Sequence, residues 1–200
     1  MAITWSGLRL ACAYLTVCST SALALEEPKG EKEALKACER RFCDLVVRKG
    51  PSKGDFTCGL SKTWAKAELK EGSSAGKISW GFGDARCSVD LKLARADIVS
   101  ALNDSKATLH FPEHAVSCVI ERDKGPSNVS ATLAPKAELE GGRVKKVWVN
   151  LKKVEGPGAI KGLAYTAAKL EDKLGIFHRP LVKSINKFLH EKCPKVAAGG

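Results

Sequence analysis

The chain is poor in aromatic side chains, which make up 6% of its 200 residues, and it holds a single methionine. Beyond the first two dozen residues it also lacks any long uninterrupted apolar run. A membrane-crossing helix needs about 20 such residues, so a polytopic helical membrane protein is excluded. Surfaces that stack nucleic acid interleave aromatic with basic side chains. Trp148 is the only aromatic on its basic strand, and nucleic acid is not an expected partner.

Catalytic signatures are missing as well. No Gly-x-Ser-x-Gly elbow occurs, and only four histidines are available: His110, His114, His178 and His190. The segment Gly72 to Ile78 resembles a phosphate loop but is one residue short between its glycines, with Ile78 where a metal-binding hydroxyl belongs. Ser74 to Lys77 and Ser184 to Lys187 match Ser-x-x-Lys, but neither Ser-Asp-Asn nor Lys-Thr-Gly accompanies them. His110, His114 and Cys118 share one face at a spacing of four. Pro112 disfavours a helix there, and Cys118 is more valuable as a disulfide partner. Neither a metal nor a cofactor is expected, and enzymatic activity is the least favoured reading.

What is present suffices for a folded core, with 44% hydrophobic and 28% charged residues. Met1 to Ala24 reads as a secretory signal: Arg9 is its only charge, Leu10 to Val17 is apolar, and Ala22-Leu23-Ala24 supplies small residues for cleavage. Removal leaves a single domain, 25–200, with no transmembrane anchor. It retains Cys38, Cys43, Cys58, Cys87, Cys118 and Cys193. An even number of cysteines in an exported chain predicts disulfides formed in an oxidising compartment, the periplasm or the medium. Spacing does not select among their pairings. On a helix Cys38 and Cys43 would point about 140° apart, so they should bond elsewhere and not to each other.

The apolar periodicity divides the domain into three parts. Glu31 to Arg48 repeats Leu35, Cys38, Phe42, Leu45 and Val46 at helical spacing. From Asp55 to Val154 the period is two. Ala65, Ala67 and Leu69 alternate with charged residues, and Ile78, Trp80 and Phe82 follow after a loop. Cys87 to Leu93 then continues on the opposite parity, which predicts a bulge or bend at Gly81 and Gly83. Ala96 to Leu102 suggests a short helix. Lys106 to Glu121 reads as a strand interrupted at Pro112. Val129 to Leu139 and Val147 to Leu151 predict a hairpin with the three-residue loop Glu140-Gly141-Gly142, setting Leu133 opposite Val149. Helical spacing returns after Gly156-Pro157-Gly158, ending at Gly175, and a last helix from Pro180 has Leu181, Ile185 and Leu189 on its apolar face. The expected fold is α+β: an antiparallel sheet of about five strands, with an N-terminal helix and a C-terminal helical segment packed on it.

Acidic residues almost vanish at the carboxyl end. From Leu25 to Gly142 there are 19 basic and 18 acidic residues, but from Arg143 to Gly200 there are 13 and 4. Lys183, Lys187 and His190 share the outer side of the last helix, and Lys146 and Lys152 share the parity of Trp148. These five residues are the expected basic surface, suited to an anionic lipid, another envelope polyanion or an acidic protein. A curved sheet closed by an amphipathic helix also implies a groove, with Trp64, Trp80, Phe82 and Trp148 as expected apolar contacts. The leading expectation is therefore an exported, non-enzymatic protein that binds an amphiphile or an anionic envelope surface. A protein-interaction module, such as an inhibitor or an envelope assembly factor, is the first alternative. An unrecognised small enzyme is the second.

Overall fold

Period-two alternation through residues 106–155 is broken three times, at Pro112, Pro135 and Asn150, and those three breaks organise the fold. A computed structural model describes residues 25–48, 52–74, 79–174 and 178–199. The segment 1–24 read as a signal, the turn expected at Gly50-Pro51, Ile78 and the helix end expected at Gly175 lie outside them.

At each break one long strand becomes two. Lys106–His110 (β3) gives way to His114–Ile120 (β4), Ser127–Leu133 (β5) to Lys136–Glu140 (β6), and Arg143–Trp148 (β7) to Leu151–Glu155 (β8). The halves on one side pair as a three-stranded sheet in the order β3-β6-β7. The other halves join Asp55–Trp64 (β1) and Ala85–Ala94 (β2) in a five-stranded sheet ordered β1-β2-β4-β5-β8, with every pairing antiparallel. The structure is thus α+β with a five-stranded antiparallel sheet and terminal helices, plus a smaller sheet folded away from it.

The fold line stays hydrogen-bonded. Proline has no N–H to lose from a ladder, and the carbonyl of Pro135 accepts from Phe111 N at 2.9 Å. Ala134 N donates to the Asn150 carbonyl at 3.1 Å, while Asn150 Nδ2 returns a bond to the Ala134 carbonyl at 3.0 Å. Asn150 sits at φ 47°, a left-handed conformation that asparagine tolerates better than most residues. The Asp172 carboxylate accepts from Val149 N at 2.9 Å and Asn150 N at 3.2 Å, so the kinked amides keep partners.

Two local expectations are corrected. Residues 66–70 are helical, not extended: α2 spans Lys66–Ser74. Ala, Lys and Glu favour helix, and Glu68 Oε2 reaches back to the Ala65 N–H at 2.9 Å, which closes the first turn. Trp80 and Phe82 lie in an irregular segment before β2, with a bend at Phe82 between Gly81 and Gly83. The β6–β7 turn is also shorter than expected. Glu140 pairs with Arg143 across Gly141 and Gly142, whose φ values of 54° and 71° suit a two-residue turn. A Cβ on Gly142 would meet the Leu102 carbonyl oxygen at 2.6 Å, so glycine is required there. Lys145 is then an extra residue, a bulge between the pairs Leu139–Val144 and Glu138–Lys146. Leu133 faces His114 and Leu151, not Val149.

Helices close three sheet edges, whose unpaired N–H and C=O groups would otherwise template aggregation. Helix α1 (Glu31–Arg48) serves β1: buried Glu31 accepts from Thr63 N at 2.7 Å and Thr63 Oγ1 at 2.8 Å, and Arg41 donates to the Thr57 carbonyl. Helix α4 (Gly158–Leu174) serves β8, where Val154 N donates to the Tyr165 hydroxyl at 3.3 Å. Helix α5 (His178–Lys187) serves β7: the Asn186 amide accepts from Val144 N at 2.9 Å and donates to its carbonyl at 2.8 Å. Helix α3 (Arg95–Asn103) buries Ile98 and Ala101. A π-helical turn, Phe188–Lys192, leads into α6 (Cys193–Ala198).

Three disulfides tie these elements together. Cys38–Cys58 fixes α1 to β1, and Cys87–Cys118 joins facing residues of β2 and β4. Cys43–Cys193 closes 150 residues, anchoring the carboxyl end to α1, and both of its cysteines are fully buried.

Replacing Cys43 and Cys193 together by Ala is expected to lower unfolding free energy by about 2–5 kcal/mol, read from denaturant midpoints. Asn150→Val, which puts a β-branched residue at positive φ, should cost about 1–3 kcal/mol in the same assay.

Candidate functional site

The small sheet presents Ala137, Leu139, Val144 and Val147 on its inner side, and those side chains do not fill the space beneath it. Helix α5 faces them with Leu181 and Ile185, continued by Leu189 of the π turn, at positions i, i+4 and i+8. Ile98, Ala101 and Leu102 of α3, Phe42 of α1 and Phe111 beside the fold line add further wall. The partly open cavity measures about 410 Å³, within the usual range of small-molecule sites. Its lining surface is almost wholly apolar.

Burial changes along all three walls in the same direction. Leu139, Val144 and Leu189, near the Gly141-Gly142 turn, are buried. Lys136, Trp148 and Leu181, at the other ends of β6, β7 and the helical stripe, are half-buried. The closed end therefore lies under the turn, and the mouth lies beside the fold line. On the opposite face of the small sheet from Ala137 and Val147, Lys136 Nζ sits 3.8 Å from the centroid of the Trp148 ring, a cation–π contact. Its ion pair with Glu138, at 3.8 Å between partly exposed groups, is weak.

Of the four aromatics proposed as ligand contacts, Trp148 alone lines this cavity. Trp80 and Phe82 pack against a different core, formed by Ala85, Ile120, Val129, Val154 and Ile160. Their rings meet edge to face at 5.2 Å, and Trp80 Nε1 donates to the Gly83 carbonyl at 2.8 Å. Trp64 ends β1, half-buried and apart from the cavity. Sequence reasoning missed Phe42, Phe111 and Lys136. Phe42 was legible as part of the α1 stripe, whereas Lys136 carried no signal until its register with Trp148 was known.

The five proposed basic residues do not form one continuous strip. Lys146 lies on β7 opposite Glu138 and Lys152 on β8, so the kink at Asn150 divides them between two sheets. Lys183 and Lys187 are exposed on α5, outside the cavity wall that this helix forms. His190 Nε2 lies 3.2 Å from the Gly142 carbonyl. Arg179 extends the α5 row at the same four-residue interval and is also exposed.

The histidine cluster is structural. Cys118 is bonded to Cys87, and His110 is exposed on β3. Buried His114 uses both ring nitrogens: Nδ1 lies 2.7 Å from the Pro112 carbonyl, and Nε2 accepts from Lys92 N at 3.0 Å. That network makes Nδ1 the protonated nitrogen. The ring continues the β2 ladder where β4 leaves it. Among the described residues no group of three or more His, Cys, Asp or Glu is placed to hold a metal ion.

A second depression, about 450 Å³, lies over the outer face of the five-stranded sheet. Its floor is an in-register row, Ser61, Ser88, Ser117 and Ser130, flanked by Arg86 and Glu155. Glu155 is bridged to Lys153 at 2.6 Å. Their mutual hydrogen bond, then their Coulomb attraction, raises the Lys153 pKa and lowers that of Glu155. Among the described residues no helix is long and apolar enough to cross a membrane.

No protein-family model matches the chain, and no curated protein or solved structure is detectably similar to it.

His114→Phe keeps an aromatic ring but leaves the Lys92 N–H without its acceptor. It should lower stability by about 1–3 kcal/mol, measured by chemical unfolding.

Proposed function

We propose that this protein is an exported, non-enzymatic binder of an amphiphile, whose apolar part occupies the cavity between the small sheet and α5. The observation that carries this reading is a recess of about 410 Å³ whose lining surface is almost wholly apolar. Recesses of this kind orient a ligand with few polar groups and hold it by area. Each methylene withdrawn from water contributes about 0.8 kcal/mol, so a chain of about ten carbons supplies about 8 kcal/mol gross. The loss of translational and rotational freedom offsets at least about half of that. Useful affinity therefore needs only ordinary packing, without any catalytic group.

Export is supported by the pattern of Met1 to Ala24 and by the disulfide bonding of all six remaining cysteines. The cations of α5 add a second element. Arg179, Lys183 and Lys187 point away from the cavity that the same helix walls, and none belongs to an ion pair among the described residues. Such a row is suited to bringing the recess against an anionic envelope surface.

Protein purified without detergent and extracted with organic solvent should release a stoichiometric amphiphile detectable by mass spectrometry. Val147→Trp, which fills the recess, should weaken binding of an alkyl fluorophore at least about tenfold while thermal unfolding stays cooperative. A lipid-free extract, together with a fluorophore affinity unchanged by that substitution, would overturn the reading.

A further inference from the structure

The two sheets differ in the charge of their outer faces. On the small sheet Lys106, Lys136, Arg143 and Lys146 share that face with Glu138 and Glu140. The bulge residue Lys145 joins them, 3.6 Å from Glu140. Five cations therefore meet two carboxylates. The outer face of β1, β2, β4 and β5 is balanced, with Arg86 and Lys92 against Asp55 and Asp90. We propose that the outer face of the small sheet and the basic row of α5 form one surface, which docks on an anionic lipid bilayer. This builds on the role given to α5 above and is independent of what the recess holds.

The two parts of the surface are continuous because of how α5 meets the sheet. Asn186 holds the edge of β7 at Val144, and successive helical residues turn by about 100°. Ile185, at the centre of the apolar row, points about 100° to one side of Asn186, beneath the sheet. Arg179, Lys183 and Lys187 point about 20°, 60° and 100° to the other side, toward the outer face. Just beyond them, His190 Nε2 lies 3.2 Å from the Gly142 carbonyl in the β6–β7 turn. The contacts Asn186 to Val144 and His190 to Gly142 also make α5 antiparallel to β7. Lys187 therefore stands toward the Arg143 end of the strand, and Lys183 toward Lys146.

The charge on this surface is not neutralised from within. Glu138 and Glu140 are bridged to Lys136 and Lys145. Lys106, Arg143 and Lys146 are exposed, and none belongs to an ion pair among the described residues. Like charges crowded on one face repel, and a surface of opposite sign relieves that repulsion. A bilayer suits these groups better than an acidic protein does. Six of the eight cations are lysines, mobile point charges that match a diffuse field, whereas arginine forks grip individual carboxylates. The half-buried Trp148 ring lies on the same face with Lys136 over it, and tryptophan favours boundaries that are apolar on one side and wet on the other.

Sedimentation with vesicles of phosphatidylcholine, with and without phosphatidylglycerol, tests the proposal. The wild-type protein should bind only the anionic vesicles, and added salt should release it. Arg143→Gln with Lys146→Gln should weaken that binding at least about tenfold, and Lys183→Gln with Lys187→Gln should do the same. Lys29→Gln with Lys124→Gln removes equal charge before α1 and in the β4–β5 turn, and should change binding less than about threefold. All six positions are exposed, so every variant should keep the wild-type denaturant midpoint. Binding lost with the α5 pair but insensitive to the sheet pair overturns the shared surface and leaves α5 acting alone. Equal losses for all three pairs overturn it as well, because net charge then suffices. No binding to anionic vesicles removes the role of α5 too, and binding to polyglutamate in its place assigns the face to an acidic protein. The recess is read separately by the fluorophore assay and stands or falls on its own.

Discussion

The hydrogen-bonded fold line through Phe111, Pro135 and Asn150 is the constraint on which the rest of the molecule depends. A flat antiparallel sheet of this length would offer two open faces and no interior recess. Bending three adjacent strands at one level turns a single surface into two sheets with an angle between them, and that angle is the space that α3 and α5 partly fill. The bend is inexpensive because two of its crossings fall at proline, which has no N–H to leave unpaired. At the third, Asp172 supplies an acceptor for amides that have left the ladder. Buried amides without partners would cost about 1–3 kcal/mol each, enough to make the kink unstable in a domain of ordinary stability.

The helices have a double role that follows from the bend. A kinked sheet has more ends and edges than a flat one, and each open edge invites pairing with another chain. Here α1, α4 and α5 each contribute side chains to an edge, and the Asn186 amide imitates a strand residue against Val144. The same α5 walls the cavity with Leu181 and Ile185. Edge protection and cavity formation are thus properties of one helix, whose position the Cys43–Cys193 bond secures through α6 and α1. A cavity wall held only by apolar contacts with a recess would be under-packed on that side. The covalent tie compensates for contacts that the recess gives up.

Much of this architecture was legible in the sequence, and what was not has definite physical causes. The α1 stripe, the short α3, the strand periodicity and the apolar face Leu181-Ile185-Leu189 rest on local spacing, which sequence reports directly. The prolines announced interruptions at the right places, but a proline states only that a regular strand cannot continue. It does not state that three interruptions align in space. Helix α2 was misread because Ala65 to Lys70 alternates like a strand while being built of helix-favouring residues, and the Glu68 cap decides between them. Trp80 and Phe82 were expected in a groove between sheet and helix, yet they pack into a core. The serine row across four strands was invisible, since each serine lies on a different strand and only register unites them.

Register also makes the site. In an uninterrupted strand Val144 and Val147, three residues apart, would point to opposite faces. The bulge at Lys145 inserts one residue between them, so both reach the cavity, while Glu138 now faces Lys146. The same insertion moves Trp148 opposite Lys136; without it, Lys136 would face Val147 and the ring would lie beyond the end of β6. A single-residue slip inverts every side chain that follows, so the two-residue glycine turn and the bulge act together. The turn sets the first pair at Glu140 and Arg143, and the bulge corrects the facing of the remainder. The cation over the indole on one face of the small sheet and the apolar recess on the other are therefore not independent features. Both follow from the placement of one lysine, Lys145, and a change that removed the bulge would disturb the Lys136–Trp148 contact and the shape of the cavity together.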